Sequence, residues 1–363
     1  MKLPRIFPQF PAGQRGADVE PPRRILIVRM SALGDAIHGL PVACALRDAF
    51  PRAEIGWVVE GRHGDVLVEH PAIDHLIRVP RRWLKSPSAV LGLRRHLRAL
   101  RFDAAIDLQC LAKSGVASWL SGAPRRIGFA GLDSREWSGT FRTTAVMPAA
   151  THVVDKYLEL LRPLGIERPQ VRFDVPAWSD AATEADHKIK QCGCPESGFA
   201  ILNAGAGWPS KLWPAERYGR LAQRLAAEHG LASLAVWGGR SELPLAEQIV
   251  AHSAGAARLA PSTSIAELAA VCRRAALFVG SDTGPLHLAV AVGTPAISLH
   301  GASRAEVCGA YGPQNIRLQV RYEDGPARHR RGASNAAMCE ITVDAVVAAC
   351  GKLLARSSPR RIA

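Results

Sequence analysis

With 363 residues the chain is too long for one ordinary small domain, and two domains are expected. Hydrophobic residues at 48% and charged residues at 21% exclude wholesale disorder, and no run reaches the roughly 18 to 20 uninterrupted apolar residues that cross a bilayer, so any membrane contact is expected to be peripheral. The 46 Lys and Arg against 32 Asp and Glu leave a formal charge of +14, which favours polyanionic partners: nucleic acid, an anionic membrane surface or phosphorylated substrates.

Residues 1–22 are rich in Pro, Gly and Arg and lack an apolar core, so they read as a loose tail rather than a signal peptide. The run RILIVR, Arg24–Arg29, is short, apolar and β-branched, as a buried strand requires. The loop Ser31–Asp35 (SALGD) follows, then a helix to about Phe50, ended by Pro51. Further strands are predicted at Glu54–Val59, Leu76–Val79 and Ala104–Leu108, with a basic helix over about 88–100 between the last two. The pattern pauses around Val175–Trp178, where a linker separates an N-terminal domain over 23–175 from a C-terminal one over 176–355. The second series runs through a strand at Phe199–Asn203, a helix over 215–229, a strand at Ser233–Trp237 and a helix near 243–253. It continues with a helix at Ile265–Ala276 and strands at Leu277–Gly280 and Pro295–Leu299, before a basic tail over 356–363. Alternating β and α elements imply α/β domains with parallel sheets covered on both faces. Two such doubly wound domains leave a cleft between the carboxyl ends of their strands, where ligands bind. The eight cysteines are scattered, with a single C-x-C at Cys192 and Cys194, so a zinc site or a disulfide framework is disfavoured and reduced thiols in the cytoplasm are expected.

Five segments carry candidate chemistry. Asp35 follows the first strand, where a carboxylate serves either as a helix cap or as a general base facing the cleft. The loop Asn203–Pro214 (NAGAGWPSKLWP) has small residues that admit a phosphate, and Lys211 brings positive charge to a diphosphate; it is neither a dinucleotide fingerprint nor a Walker loop. The segment Gly280–His287 (GSDTGPLH) ends a strand and opens a helix, whose N–H groups and dipole form an anion site. There Asp282 and Thr283 can bond sugar hydroxyls or phosphate, while His287 alone would more often be a packing residue. Glu242, after Trp237-Gly-Gly-Arg-Ser, can accept from both hydroxyls of a ribose or simply stand at a helix start. Finally, Arg78 to Arg101 holds eight basic residues and no acid. Such a run is usually a solvated helix, yet Arg81, Arg82 and Lys85 precede the helix and Lys113 and Arg135 fall in later loops, which suggests a pocket for an acidic acceptor.

Taken together, ILIVRMSALGDAIHGLP, EIGWVVEGRH, RRWLK, FDAAIDLQCLAKS, DSREW, SKLWP and SDTGPLHLA resemble family 9 glycosyltransferases, the lipopolysaccharide heptosyltransferases, from about Arg24 to about Gly351. The resemblance implies a GT-B fold of two Rossmann-like domains and an inverting transfer that needs no metal or other cofactor. It implies ADP-L-glycero-β-D-manno-heptose as donor and a Kdo residue on lipid A, an acidic lipid-linked saccharide, as acceptor. Position by position, Asp35 matches the catalytic base and Lys211 the lysine on the donor phosphates. Asp282, Thr283, Gly284 and His287 match the donor-binding motif, and Glu242 the ribose-binding glutamate. Arg81, Arg82, Lys85, Lys113 and Arg135 match basic positions on the acceptor side. The chain departs from the family at Ala206 and Gly207, where threonines often precede the lysine. A cytoplasmic protein, peripheral at the anionic inner face of the inner membrane, follows from this reading. The alternatives are a family 9 enzyme with another donor or acceptor and a GT-B-shaped nucleotide-sugar epimerase. Nucleic acid is not expected, because no helix-turn-helix, RNP or zinc-finger pattern accompanies the charge.

Overall fold

The computed structural model describes residues 20–134, 136–195 and 198–357. The parts of the two expected tails at 1–19 and 358–363 lie outside them, as does Arg135. The first six strands are β1 (Arg24–Val28), β2 (Glu54–Glu60), β3 (His75–Val79), β4 (Ala104–Asp107), β5 (Arg125–Phe129) and β6 (Thr144–Val146). They form one parallel sheet in the order β3-β2-β1-β4-β5-β6, with Ile25 of β1 opposite Ile55 and Ala104. A second six-stranded parallel sheet, β12-β11-β10-β7-β8-β9, is built from β7 (Phe199–Asn203), β8 (Ala232–Val236), β9 (Ala257–Leu259), β10 (Leu277–Ser281), β11 (Ala296–His300) and β12 (Ile316–Gln319). In both sheets the order reverses beside the first strand, which opens a crevice at the carboxyl ends.

Central strands bury both faces, so their side chains alternate between two cores. Ile25 and Ile27 of β1 join one cluster, and Leu26 and Val28 another. The second cluster lies under an outer layer of α2 (Pro87–Ala99) and α3 (Ala112–Ser121). Ser86 caps α2 by accepting from the Ala89 amide at 3.3 Å, Pro87 occupies its first turn, and Leu93 and Leu97 are its buried face. The first cluster lies under α1 (Leu33–Ala49), which is buried continuously from Ala36 to Leu46. A helix apolar on all sides must be covered on all sides. Here the sheet covers one side of α1, and the second half of the chain covers the other. After α4 (Val153–Glu159), α5 (Ser179–Gln191), α6 (Ala215–His229) and α7 (Leu243–Ala251) come α8 (Ile265–Arg274) and α9 (Gly284–Ala291). Ile37 and Leu40 of α1 share one core with Leu268 of α8 and Leu286 and Leu288 of α9. A long helix, Val343–Ser357, closes the chain against the second sheet's own core.

Candidate active site

The site begins where β1 ends. Asp35 is not the cap of α1 but lies within its first turn. Its Oδ2 accepts from the Ala32 amide at 2.9 Å, so the capping reading of this carboxylate describes a real bond. The same oxygen lies 2.6 Å from Nη2 of Arg29, and the Asp35 side chain keeps 39% exposure. Arg29 is buried. Its Nη1 donates to the Leu108 carbonyl at 3.4 Å, and its guanidinium sits 5.5 Å from the Tyr157 ring centre. One oxygen of Asp35 is therefore pinned, and the carboxylate faces outward on a fixed stem.

The opposing wall comes from the second sheet. β7 delivers Asn203, and a short turn, Pro209–Lys211, delivers Lys211. The Lys211 ammonium lies 2.6 Å from Asp282 Oδ2, 3.2 Å from the Asp282 carbonyl and 4.4 Å from the Trp208 ring centre. Asp282 Oδ1 lies 3.0 Å from His287 Nε2, and His287 Nδ1 lies 3.1 Å from Nε2 of His38 on α1. Burial pushes the Asp282 carboxyl up, but Lys211 and His287 outweigh it and hold it well below the usual carboxylate range. Thr283 caps α9, receives Asn203 Nδ2 at 3.3 Å and donates to the Ser281 carbonyl at 3.2 Å. Glu242 accepts from the Gly238 amide at 2.7 Å, and its carboxylate lies against Gly205 where any larger residue would need that space. Burial raises its pKa. Gly207 has open space around it, so the missing threonines leave room rather than a clash.

The two walls touch. A methyl group on Gly34 would stand 2.8 Å from His287 Cδ2, and one on Gly284 would stand 2.8 Å from Leu33 Cδ2. Glycine at both positions brings the start of α1, with Asp35, directly against the start of α9. The amides at the start of α9 and the turn that carries the pinned Asp35 carboxylate therefore share one seam.

The cations expected on an acceptor side are placed in two ways. Arg81, Arg82 and Lys85 are exposed around Trp83, which is buried and anchors the turn. Lys113 belongs to the first turn of α3 rather than to a loop. Its ammonium donates to Ser31 Oγ at 3.0 Å and to Glu60 Oε2 at 2.8 Å, which ties it to the loop that carries Asp35. Sequence reasoning missed three residues here: Arg29, His38 and His63. His63 has Glu60, Lys113, Arg81 and Asp35 as charged neighbours, and its burial lowers its pKa. Its only signal in the sequence was its place just after β2.

Residues 90–337 match the model of a family described as glycosyltransferase family 9 (heptosyltransferase). The chain belongs to glycosyltransferase family 9. It is 31% identical to the lipopolysaccharide heptosyltransferase 1 of Pseudomonas aeruginosa over 84% of this chain and 85% of that one. Among solved structures, a family 9 glycosyltransferase of Veillonella parvula matches with a TM-score of 0.80 at 24% identity, covering 92% of this chain and 98% of that one. The E. coli heptosyltransferase WaaC solved with ADP matches with a TM-score of 0.70 at 25% identity, covering 92% and 99%. The same E. coli enzyme was also solved with ADP-2-deoxy-2-fluoro heptose, and that structure matches with a TM-score of 0.69. The fold of this family 9 member is accordingly GT-B. No helix among the described residues is long and apolar enough to cross a membrane.

The seam sets an expected pH dependence of stability. Burial, first of all, lowers the pKa of His38, His63, His70, His152 and His300, the last to about 4. In the unfolded chain they protonate near 6.5, so below that pH the unfolded state binds more protons and stability falls as pH falls. Each histidine contributes up to roughly 1.4 kcal/mol per pH unit in its window. Asp107 works the other way, since burial pushes its carboxyl up to about 6 and so favours the folded state as pH falls from about 6. Glu242, also raised by burial, acts in the same sense as Asp107, but five groups outweigh two and Tm is expected to drop between pH 7 and 5. A flat or rising Tm over that interval, measured by calorimetry, contradicts the assignment.

Proposed function

We propose that this family 9 enzyme transfers heptose, with inversion, from ADP-L-glycero-β-D-manno-heptose to a Kdo-type acid sugar on a lipid A acceptor in lipopolysaccharide inner-core synthesis. The observation that carries the reading is the contact of the Asp35 loop with the start of α9 through Gly34 and Gly284. It supports a reading in which Asp35 and the groups at the start of α9 serve the two sides of one bound sugar. The ADP-sugar bound by the E. coli relative supports the choice of donor.

In this mechanism Asp35 takes the proton of the acceptor hydroxyl. The acceptor oxygen forms its bond to the anomeric carbon as the bond from that carbon to the diphosphate oxygen breaks, and ADP leaves with the electron pair. Lys211 and the amides at Thr283 and Gly284 hold the charge that grows on the diphosphate. Lys211 meets Asp282, but an ammonium has three donors and keeps capacity for phosphate. These groups carry the leaving-group charge without a metal, so EDTA is expected to leave the rate unchanged. Arg81, Arg82, Lys85, Lys113 and Arg135 are assigned to the acidic acceptor, and Glu242 to the ribose.

The reading is tested by competing ADP-heptose against UDP- and GDP-sugars and by following the anomeric configuration of the product. Preference for ADP-heptose and inverted product are expected. Donor consumption without acceptor would instead indicate an epimerase. Glu242→Ala is expected to raise the donor KM about tenfold with a smaller change in kcat, since a ribose contact is made equally in ground and transition states. An unchanged KM removes Glu242 from the donor site.

A further inference from the structure

A diphosphate carries negative charge on each phosphate, and the side chains placed around its cradle do not balance it. The Lys211 ammonium lies 2.6 Å from Asp282 Oδ2, and that carboxyl is held well below the usual carboxylate range, so the pair is neutral as a whole. Glu242 adds another carboxylate against Gly205. The loop Asn203–Pro214 holds one hydroxyl, that of Ser210, which already donates to the Arg330 carbonyl at 2.6 Å. One cation beside this loop is unpaired. Arg331, on the short helix Ala327–Gly332, is exposed and makes no ion pair among the described residues. Its guanidinium lies 5.0 Å from the Trp208 ring centre, and the Lys211 ammonium lies 4.4 Å from the same centre. The two cations are therefore no farther apart than those distances laid end to end, a gap that a diphosphate bridges once its hydrogen-bond lengths are counted. The backbone fixes Arg331 there from both sides. On one side, Ser210 holds the Arg330 carbonyl, and Arg330 donates to the Ala302 carbonyl at 2.6 Å and the Gly325 carbonyl at 3.0 Å. On the other, Asn335 Nδ2 donates to the Leu212 carbonyl at 3.0 Å. Ser210 and Leu212 flank Lys211, so the segments that carry the two cations are fastened to each other on both sides of each cation.

We propose that Arg331 binds the diphosphate of the nucleotide sugar together with Lys211. Its guanidinium supplies the charge that the neutral Lys211–Asp282 pair does not, and the side-chain contacts that the loop lacks at Ala206 and Gly207. The proposal rests on the nucleotide-sugar reading of this site and adds a residue that lies outside every motif singled out in the sequence. Two like charges over one indole repel each other, and the ring attracts an exposed cation only modestly. An anion between them turns that repulsion into attraction on both sides. Trp208 then acts as a platform, because a guanidinium stacked on a ring keeps the edge of its plane free to donate two parallel bonds to a phosphate.

The test is calorimetric titration of the full chain with ADP, with adenosine followed by NMR as the uncharged control. The parent is compared with Arg331→Lys, Arg331→Met and Arg331→Glu. Arg331 is exposed, so all three variants are expected to keep the parent's Tm. The Kd for ADP is expected to rise about tenfold in Arg331→Met, the size of a charge-assisted contact at a partly exposed site, less in Arg331→Lys and more in Arg331→Glu. Adenosine binding is expected to stay at the parent's value in all three. Methionine keeps apolar packing on Trp208, so a residue that only supported that ring would leave ADP affinity unchanged in Arg331→Met. Added salt is expected to narrow the gap between the parent and Arg331→Met. Unchanged ADP affinity in Arg331→Met, losses that do not follow the order of charge, or an equal loss for adenosine overturns the proposal. A parent chain that binds no ADP defeats the nucleotide-sugar reading as well, whereas a parent and variants that bind it equally defeat only the role of Arg331.

Discussion

Asp35→Asn is expected to reduce kcat by about 10²–10⁴-fold while leaving ADP binding within about twofold, the size of effect general base catalysis supplies. The amide keeps the shape of the carboxylate but cannot accept a proton, and the Lys211 side of the cleft is untouched. A second consequence follows from Arg29, which loses its anionic partner at 2.6 Å. An unpaired buried guanidinium is costly, but Asp35 is partly exposed and water can enter, so the stability loss is expected at roughly 1–3 kcal/mol rather than that of a fully buried pair. Denaturation and pre-steady-state transfer, measured on the same preparation, separate the two effects. Near-normal transfer by Asp35→Asn removes it as the base.

Lys211→Ala is expected to cost about 10²–10³ in kcat, the loss typical of one preorganised donor to a developing charge. It also strands Asp282, whose side chain is only 11% exposed and whose remaining partners are His287 and the weak donor Cys308. Removing one partner of a buried pair costs about 3–5 kcal/mol, so Lys211→Ala is expected to be markedly unstable. Adding Asp282→Asn should restore much of the stability without restoring transfer, because the charge that serves the diphosphate is still missing. If the double variant recovers transfer along with stability, Lys211 is a structural ion-pair partner and the leaving-group charge is held elsewhere.

The sequence announced the strands that bury both faces and the helices with strong caps or wide apolar stripes. β7 and α6 lie where the pattern put them. It was silent on β5, which opens with two arginines, and on β9, a three-residue edge strand. It was also silent on α5, which buries only Ala181 and Ala185 and so shows no large apolar period. In the candidate site, Asp35, Lys211 and Asp282 stood out in the sequence because each follows a strand closely, beside glycines that permit close approach. Arg29 was not. Its role depends on a carboxylate six residues on and on Leu108 and Tyr157, which only the folded sheet brings to it. The bond between His38 and His287 was equally invisible, since it joins residues 249 positions apart across the seam.

The account rests on a sugar bound between Asp35 and the α9 cradle, and a crystal structure with an unhydrolysable ADP-heptose analogue tests that most directly. The diphosphate is expected against Lys211 and the amides of Thr283 and Gly284, with the anomeric carbon turned toward Asp35. A nucleotide seated away from α9, or an anomeric carbon facing away from Asp35 with no room for an acceptor oxygen between them, contradicts it.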